Sequence, residues 1–197
     1  MEQHPLSPVR ISGGNFLGWA LGPHTVNHTT ASGSVITRRS APAETMYRYR
    51  YQGDTSLLHK ITERFTAALS SLFSGEQEPF NGLVMVPPPV SRADYTPVVA
   101  LVSAISRHTG IPALQFAVQD SSPRPDAGAP RPQRRTFSFT SPAAASIFTG
   151  KHVLVLDDIY RSGRSLGAFC SLVRSAGAAS ITVMVGTLVA DRSRQNR

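Results

Sequence analysis

The feature that most limits how this chain can fold is a set of short runs that are apolar almost throughout and end abruptly. They are Gly82-Leu83-Val84-Met85-Val86, His152-Val153-Leu154-Val155-Leu156 and Ile181-Thr182-Val183-Met184-Val185. A strand with one wet face alternates polar and apolar residues; a strand without alternation has both faces covered. Between and around these runs lie helical stripes. One is Leu58, Ile61, Phe65, Leu69 and Leu72, a helix of about four turns with Asp54 upstream as N-cap. A second is Tyr95, Val98, Val99, Val102 and Ile105, capped by Asp94 and closed by Gly110. A third is Leu166, Phe169, Cys170 and Val173, closed by Gly177. Apolar strands alternating with amphipathic helices predict an α/β fold, a doubly wound and mainly parallel sheet with helices on both faces.

The remaining segments are less regular. Residues 11–40 are rich in Gly, Thr and Ser and predict hairpin-like strands joined by turns. His24 and His28 stand four apart, but Gly22, Pro23 and the nearby threonines oppose a helix, so they read as ordinary loop histidines. Ile111–Val118 reads as a further strand. Gln119–Ala145 carries five prolines and four arginines without periodicity, and a segment of that length is functional or disordered. The expected organisation is a β-rich extension over 1–45, one domain over 46–190 and a basic tail over 191–197.

Composition narrows the chemistry. With 197 residues, 41% of them hydrophobic, the chain can bury a core of single-domain size, and Cys170 as the only cysteine excludes an internal disulfide or a cysteine-cluster metal site. The start of the chain does not read as a secretory leader. The apolar stretch 181–190 is half of the ~20 residues a membrane helix needs. A cytoplasmic protein without a membrane partner is expected. The net charge is +8, and the basic residues are almost all Arg, with Lys only at 60 and 151. Arg offers a planar two-pronged donor to phosphate, which favours an anionic ligand; an Arg-rich genome explains the bias equally well. A nucleic-acid partner rests on charge alone.

The strongest candidate site follows the strongest strand. In open parallel sheets ligands bind beyond the carboxyl ends of the strands, and there the chain reads Asp157-Asp158-Ile159-Tyr160-Arg161-Ser162-Gly163-Arg164-Ser165-Leu166. Two adjacent carboxylates at a buried strand end need compensation from hydrogen-bond donors such as sugar hydroxyls, or from a cation such as Mg2+. Gly163 permits a tight turn, Ser162 and Ser165 offer hydroxyls, and a helix start presents free amides and a positive dipole end to phosphate. Carboxylates for a sugar beside amides for its phosphate describe a ribose 5-phosphate pocket. A phosphoacceptor aspartate is the weaker reading, because the pair falls late in the chain and is followed by a phosphate turn of its own. Tyr160, beside the pocket, either stacks on a base or packs. Cys170 lies on the apolar helix face as a core residue.

The run resembles the phosphoribosyl pyrophosphate signature of type I phosphoribosyltransferases: a hydrophobic strand, two acidic residues and a Thr/Ser-Gly-x-Thr/Ser loop. Tyr47–Asp54 and Val86-Pro87-Pro88-Pro89 with Arg92 are similar to the ComF-like, competence-protein branch, here without its cysteine-rich zinc module. The resemblance covers roughly 45–190 and implies a type I phosphoribosyltransferase fold with a flexible hood. It implies a phosphoribosyltransferase that binds phosphoribosyl pyrophosphate and Mg2+ and passes the phosphoribosyl group to a nitrogen nucleophile, releasing pyrophosphate. Asp157 and Asp158 would contact the ribose hydroxyls as the catalytic pair, and Arg161, Ser162, Gly163, Arg164 and Ser165 would wrap the 5-phosphate. The pyrophosphate would lie on Val90, Ser91 and Arg92, with Mg2+ held through the ligand near Asp157 and Asp158 rather than by the protein directly. Arg124, Arg131, Arg134 and Arg135 would be carried on the hood. Arg161 and Arg164 depart from the family's usual small residues. They leave open a non-catalytic regulator that binds phosphoribosyl pyrophosphate or a nucleotide and is linked to DNA uptake. The acceptor is unassigned, and a homodimer is left open.

Overall fold

The computed structural model describes residues 8–13, 15–74, 80–88, 96–120 and 135–189. In chain order the elements are β1 (Val9–Gly13), β2 (Phe16–Ala20), β3 (Thr25–Thr29), β4 (Val35–Arg39), α1 (Ala41–Tyr51), α2 (Leu58–Phe73), β5 (Gly82–Met85) and α3 (Thr96–Thr109). There follow β6 (Val118–Asp120), β7 (Phe137–Phe139), α4 (Pro142–Ser146), β8 (His152–Tyr160), α5 (Arg164–Ser175) and β9 (Ser180–Leu188).

The central sheet runs β1-β2-β9-β8-β5. β2, β9, β8 and β5 are parallel, and β1 closes one edge antiparallel to β2. The protein is thus an α/β fold with a mainly parallel sheet. The absence of alternation in the apolar runs has its cause here. Val84, Val153, Val155, Ile181 and Val183 pack on one face with Phe169 and Val173 of α5. Leu83, Met85, Leu154, Leu156 and Met184 pack on the other with Met46, Phe65 and Leu101 of α1, α2 and α3. Each face is covered, so successive positions such as Leu154 and Val155 are both apolar.

β1–β2 and β3–β4 are the two hairpins of the N-terminal region, and β2 brings the first of them into the central sheet. The α5 stripe is buried as expected, including Cys170, and in α2 Ile61, Phe65 and Leu69 are buried while Leu58 and Leu72, at its two ends, are half-buried. Asp54 precedes a single 3-10 turn over Thr55–Leu57 rather than α2 itself, and its carboxylate accepts from Ser56 Oγ at 2.5 Å and Arg48 Nη2 at 2.6 Å. In α3 the buried stripe is Val98, Leu101 and Ile105, while Val99 is 59% exposed. A run of consecutive apolar residues leaves the facing angle open, and the sheet selects the i, i+3, i+7 set. Tyr95 and Asp94, named for that helix, lie outside the described residues. Ile111–Val118 is not a strand: it makes a single parallel bridge, Ala113 to Leu83, and β6 begins only at Val118. Pro112 has no N–H to give a ladder, so the segment contributes one carbonyl and one amide to β5 and leaves the edge. α1 was not anticipated from periodicity; it starts at Ser40, whose Oγ accepts from the Ala43 amide, with Pro42 in its first turn.

Candidate functional site

β8 runs four residues beyond the apolar stretch, so Asp157 and Asp158 are strand residues and not the start of the loop. Asp157 pairs in register with Val185, and Ile159 and Tyr160 with Thr187 and Leu188. Beyond Tyr160 the chain turns through Arg161, Ser162 and Gly163 into α5. Gly163 has φ +67°, the left-handed region, and forms the N-cap. A Cβ at this position would lie 2.7 Å from Tyr160 Oη, so both the backbone angle and the neighbouring ring require glycine. The first amides of a helix have no partner within it, and those of α5 follow directly on this turn.

Asp157, Asp158 and the whole turn from Arg161 to Ser165 line one cavity of about 230 Å³, together with Arg50, Tyr51, Pro87, Pro88, Arg135 and Tyr160. The two carboxylates are treated differently. Asp158 Oδ2 lies 3.6 Å from Arg50 Nη2 and accepts from Tyr51 Oη at 3.2 Å. Asp157 Oδ1 accepts from the Asp158 backbone N–H at 2.9 Å. Although it keeps an opening to the cavity, the surrounding protein pushes the Asp157 carboxyl well above the ordinary carboxylate range, and the neighbouring Asp158 charge pushes it further. One carboxylate of the pair therefore faces a cation and a hydroxyl, and the other favours its proton.

The remaining expected residues divide between described and undescribed parts of the chain. Val90, Ser91 and Arg92, and Arg124, Arg131 and Arg134, lie outside the described residues. Arg135 is described, and it is engaged with the protein. Its Nε and Nη2 donate to Asp120 Oδ2 at 3.0 and 2.6 Å, and Nη1 and Nη2 donate to the carbonyls of Pro87 and Pro88 at 2.8 and 3.2 Å. Arg161, Ser162 and Arg164 are exposed and Ser165 is half-buried. Tyr160 packs against the α5 side of the core and also lines the cavity. His24, expected as an ordinary loop histidine, lies 3.0 Å by Nδ1 from Thr187 Oγ1. Burial lowers its pKa below the usual imidazole value, with Arg39 and Arg161 acting in the same direction.

Arg50 and Tyr51 are the residues the motif reading did not assign. They sit at the end of α1, more than a hundred positions from Asp158, and only the Tyr47–Asp54 pattern marked their neighbourhood. The Tyr47 and Tyr51 rings pack at a tilt with centroids 5.3 Å apart, and the Arg39 guanidinium lies 3.8 Å over the Tyr47 ring, so this end of α1 is tied to the end of β4.

Residues 99–197, which include the carboxylate pair and the Gly163 turn, match the family model described as phosphoribosyl transferase domain. The chain belongs to the phosphoribosyltransferase family. Solved structures similar to this chain include the allosteric regulatory enzyme of purine biosynthesis, at 16% identity and a TM-score of 0.45, covering 83% of this chain and 35% of that one. They also include adenine phosphoribosyltransferase, at 16% identity and a TM-score of 0.45, covering 82% of this chain and 85% of that one. UMP synthase from Leishmania donovani matches at 16% identity and a TM-score of 0.41, over 81% of this chain and 27% of that one. The chain thus spans well under half of the first and third of these. No curated protein matches its sequence. Among its described residues no helix is long and apolar enough to cross a membrane.

Proposed function

We propose that this chain binds phosphoribosyl pyrophosphate with Mg2+ and transfers the phosphoribosyl group to a nitrogen nucleophile, releasing pyrophosphate. The observation that supports this best is the single cavity shared by the Asp157–Asp158 pair and the glycine turn that opens α5. In this reading the ribose 2- and 3-hydroxyls donate to Asp157 and Asp158 and relieve the cost of holding two carboxylates side by side. The turn from Arg161 to Ser165 receives the 5-phosphate through helix-terminal amides and the Ser162 and Ser165 hydroxyls. Arg50 and Tyr51 hold Asp158 in place for the sugar. Val90, Ser91 and Arg92 are assigned to the pyrophosphate, and Arg124, Arg131 and Arg134 to the closing hood.

Among the described residues no cluster of three or more His, Cys, Asp or Glu side chains could hold a metal ion. With Asp158 already facing Arg50 and Tyr51, the donor set suits a Mg2+ that arrives on the diphosphate and is flanked by the aspartates. Bound there, Mg2+ supplies neutralising charge to the departing pyrophosphate. The chain's own work is to orient C1: its bond to the pyrophosphate oxygen breaks with the electron pair leaving on oxygen, and a bond to the incoming nitrogen forms. Fixing the sugar at both its hydroxyls and its phosphate removes the freedom that would otherwise slow this displacement.

The ComF-like assignment, cytoplasmic localisation and a nucleobase or amine acceptor belong to the same proposal. A second reading, a non-catalytic regulator that binds phosphoribosyl pyrophosphate or a nucleotide, is motivated by Arg161 and Arg164, which are exposed at the turn. One experiment separates them: pyrophosphate release measured with a panel of nucleobases and ammonia. Release with at least one acceptor, lost in Asp157→Asn/Asp158→Asn while that variant melts cooperatively, supports the transferase. Tight binding without release for every acceptor supports the regulator, and normal ligand binding by the double variant would sink the site assignment.

A further inference from the structure

Arg135 lies at the junction of three parts of the cavity wall, yet its guanidinium is directed at protein atoms. The strand β5 is followed by Val86-Pro87-Pro88, and prolines have no N–H, so this stretch of wall offers the proline carbonyl oxygens and no amide to balance them. Bare carbonyls beside a bound diphosphate would repel it. Arg135 covers both, donating to Pro87 O at 2.8 Å and Pro88 O at 3.2 Å, while Nε and Nη2 converge on Asp120 Oδ2 at 3.0 and 2.6 Å. The side chains of this ion pair are only 16% and 9% exposed. The same guanidinium lies 4.5 Å over the Phe137 ring, and Phe137 meets Phe169 of α5 edge-on at 5.7 Å. Arg135 therefore ties the wall after β5 to the helix whose first turn lines the same cavity.

We infer that Arg135 is a positioning residue: held by Asp120, it neutralises and orients the Pro87 and Pro88 carbonyls so that the wall after β5 can receive the diphosphate of the ligand. The inference rests on the proposed binding of phosphoribosyl pyrophosphate. It differs from a direct contact between Arg135 and the ligand, because in a latch the effect must pass through Asp120. Lysine cannot replace it: one ammonium cannot serve three acceptors in the plane of a fork.

The test measures KM and kcat for phosphoribosyl pyrophosphate, and its affinity by calorimetry, in the parent, Arg135→Ala, Arg135→Lys, Asp120→Asn and the Asp120→Asn/Arg135→Ala double variant. Asp120→Asn keeps the side-chain shape and guards against a variant that fails to fold, and melting curves accompany each protein. The expected result is an affinity loss of about tenfold, the scale of one charge-assisted hydrogen bond, in both Arg135→Ala and Asp120→Asn. KM should rise while kcat changes little, the double variant should be no worse than either single variant, and lysine should not rescue. An effect of Arg135→Ala with none of Asp120→Asn would overturn the latch in favour of direct contact, and so would additive losses. Absence of binding by the parent protein would instead remove the proposed function on which the latch depends.

Discussion

Gly163→Ala is the substitution whose outcome follows most directly from the geometry of the turn. At φ +67° an L-residue is in the left-handed region, which costs about 1–2 kcal/mol. The added methyl would also lie 2.7 Å from Tyr160 Oη and 2.9 and 3.0 Å from two ring carbons. The Tyr160 backbone cannot move away easily, because it pairs with Leu188 and its carbonyl accepts from the Val189 amide at 2.9 Å. The ring must therefore rotate, at about 0.5–1.5 kcal/mol for an off-rotamer side chain, and the open direction is into the cavity. The total is roughly 1.5–3.5 kcal/mol, or a fall in Tm of about 5–10 °C for a domain of this size. Affinity for phosphoribosyl pyrophosphate should fall more than stability alone requires, since the displaced ring occupies the space beside the phosphate turn. Differential scanning calorimetry and titration calorimetry read the two effects. Tyr160→Ala in the same chain should remove the steric share and leave the backbone share. A Gly163→Ala protein that melts within a degree of the parent and binds equally well would refute the account of the turn.

Two further outcomes follow from the environment of single groups. Because the folded protein holds the proton on Asp157 more tightly than the unfolded chain, whose carboxyl keeps the ordinary value of 3.8, this group makes stability fall as pH rises from that value toward the raised folded one. Asp157→Asn should remove that decline, whose slope cannot exceed about 1.4 kcal/mol per pH unit for one proton. Urea melts of both proteins from pH 4 to 8 check it, and a gap that narrows with rising pH would contradict it. The Cys170 thiol is fully buried and its pKa is pushed up to about 12, chiefly by desolvation. It should resist a thiol reagent in the native state and react at once in denaturant; fast labelling of the folded protein would show that α5 does not pack on the sheet as described.

Much of the architecture was legible in the residues, since a sheet buried on both faces leaves a local mark. Leu154 and Val155 are neighbours that enter opposite cores, and only a covered strand has reason to be apolar at both. The α5 stripe and the Gly163 turn are equally local, because helix period and the left-handed angle act over a few residues. The α3 facing was not legible: Val98, Val99, Leu101 and Val102 are all apolar, and the choice of Val98 and Leu101 over Val99 was made by the position of the sheet. Ile111–Val118 failed as a strand because its apolar character could not reveal that it would touch β5 at one bridge only.

At the candidate site the division is the same. Two carboxylates at the end of a buried strand, a glycine turn after them and the start of a helix could be read from the residues alone, because all three lie within ten consecutive positions. Tertiary structure decided how those carboxylates are held and what faces them. Arg50 and Tyr51 reach Asp158 from the end of α1, and Arg135, rather than standing free as a cation for a ligand, is bound to Asp120 and the carbonyls of Pro87 and Pro88. The physical reason is one of range: backbone angles and burial periodicity are set by near neighbours along the chain, whereas the partner of a charge is set by whichever segment the packed sheet and helices bring within a few ångströms of it.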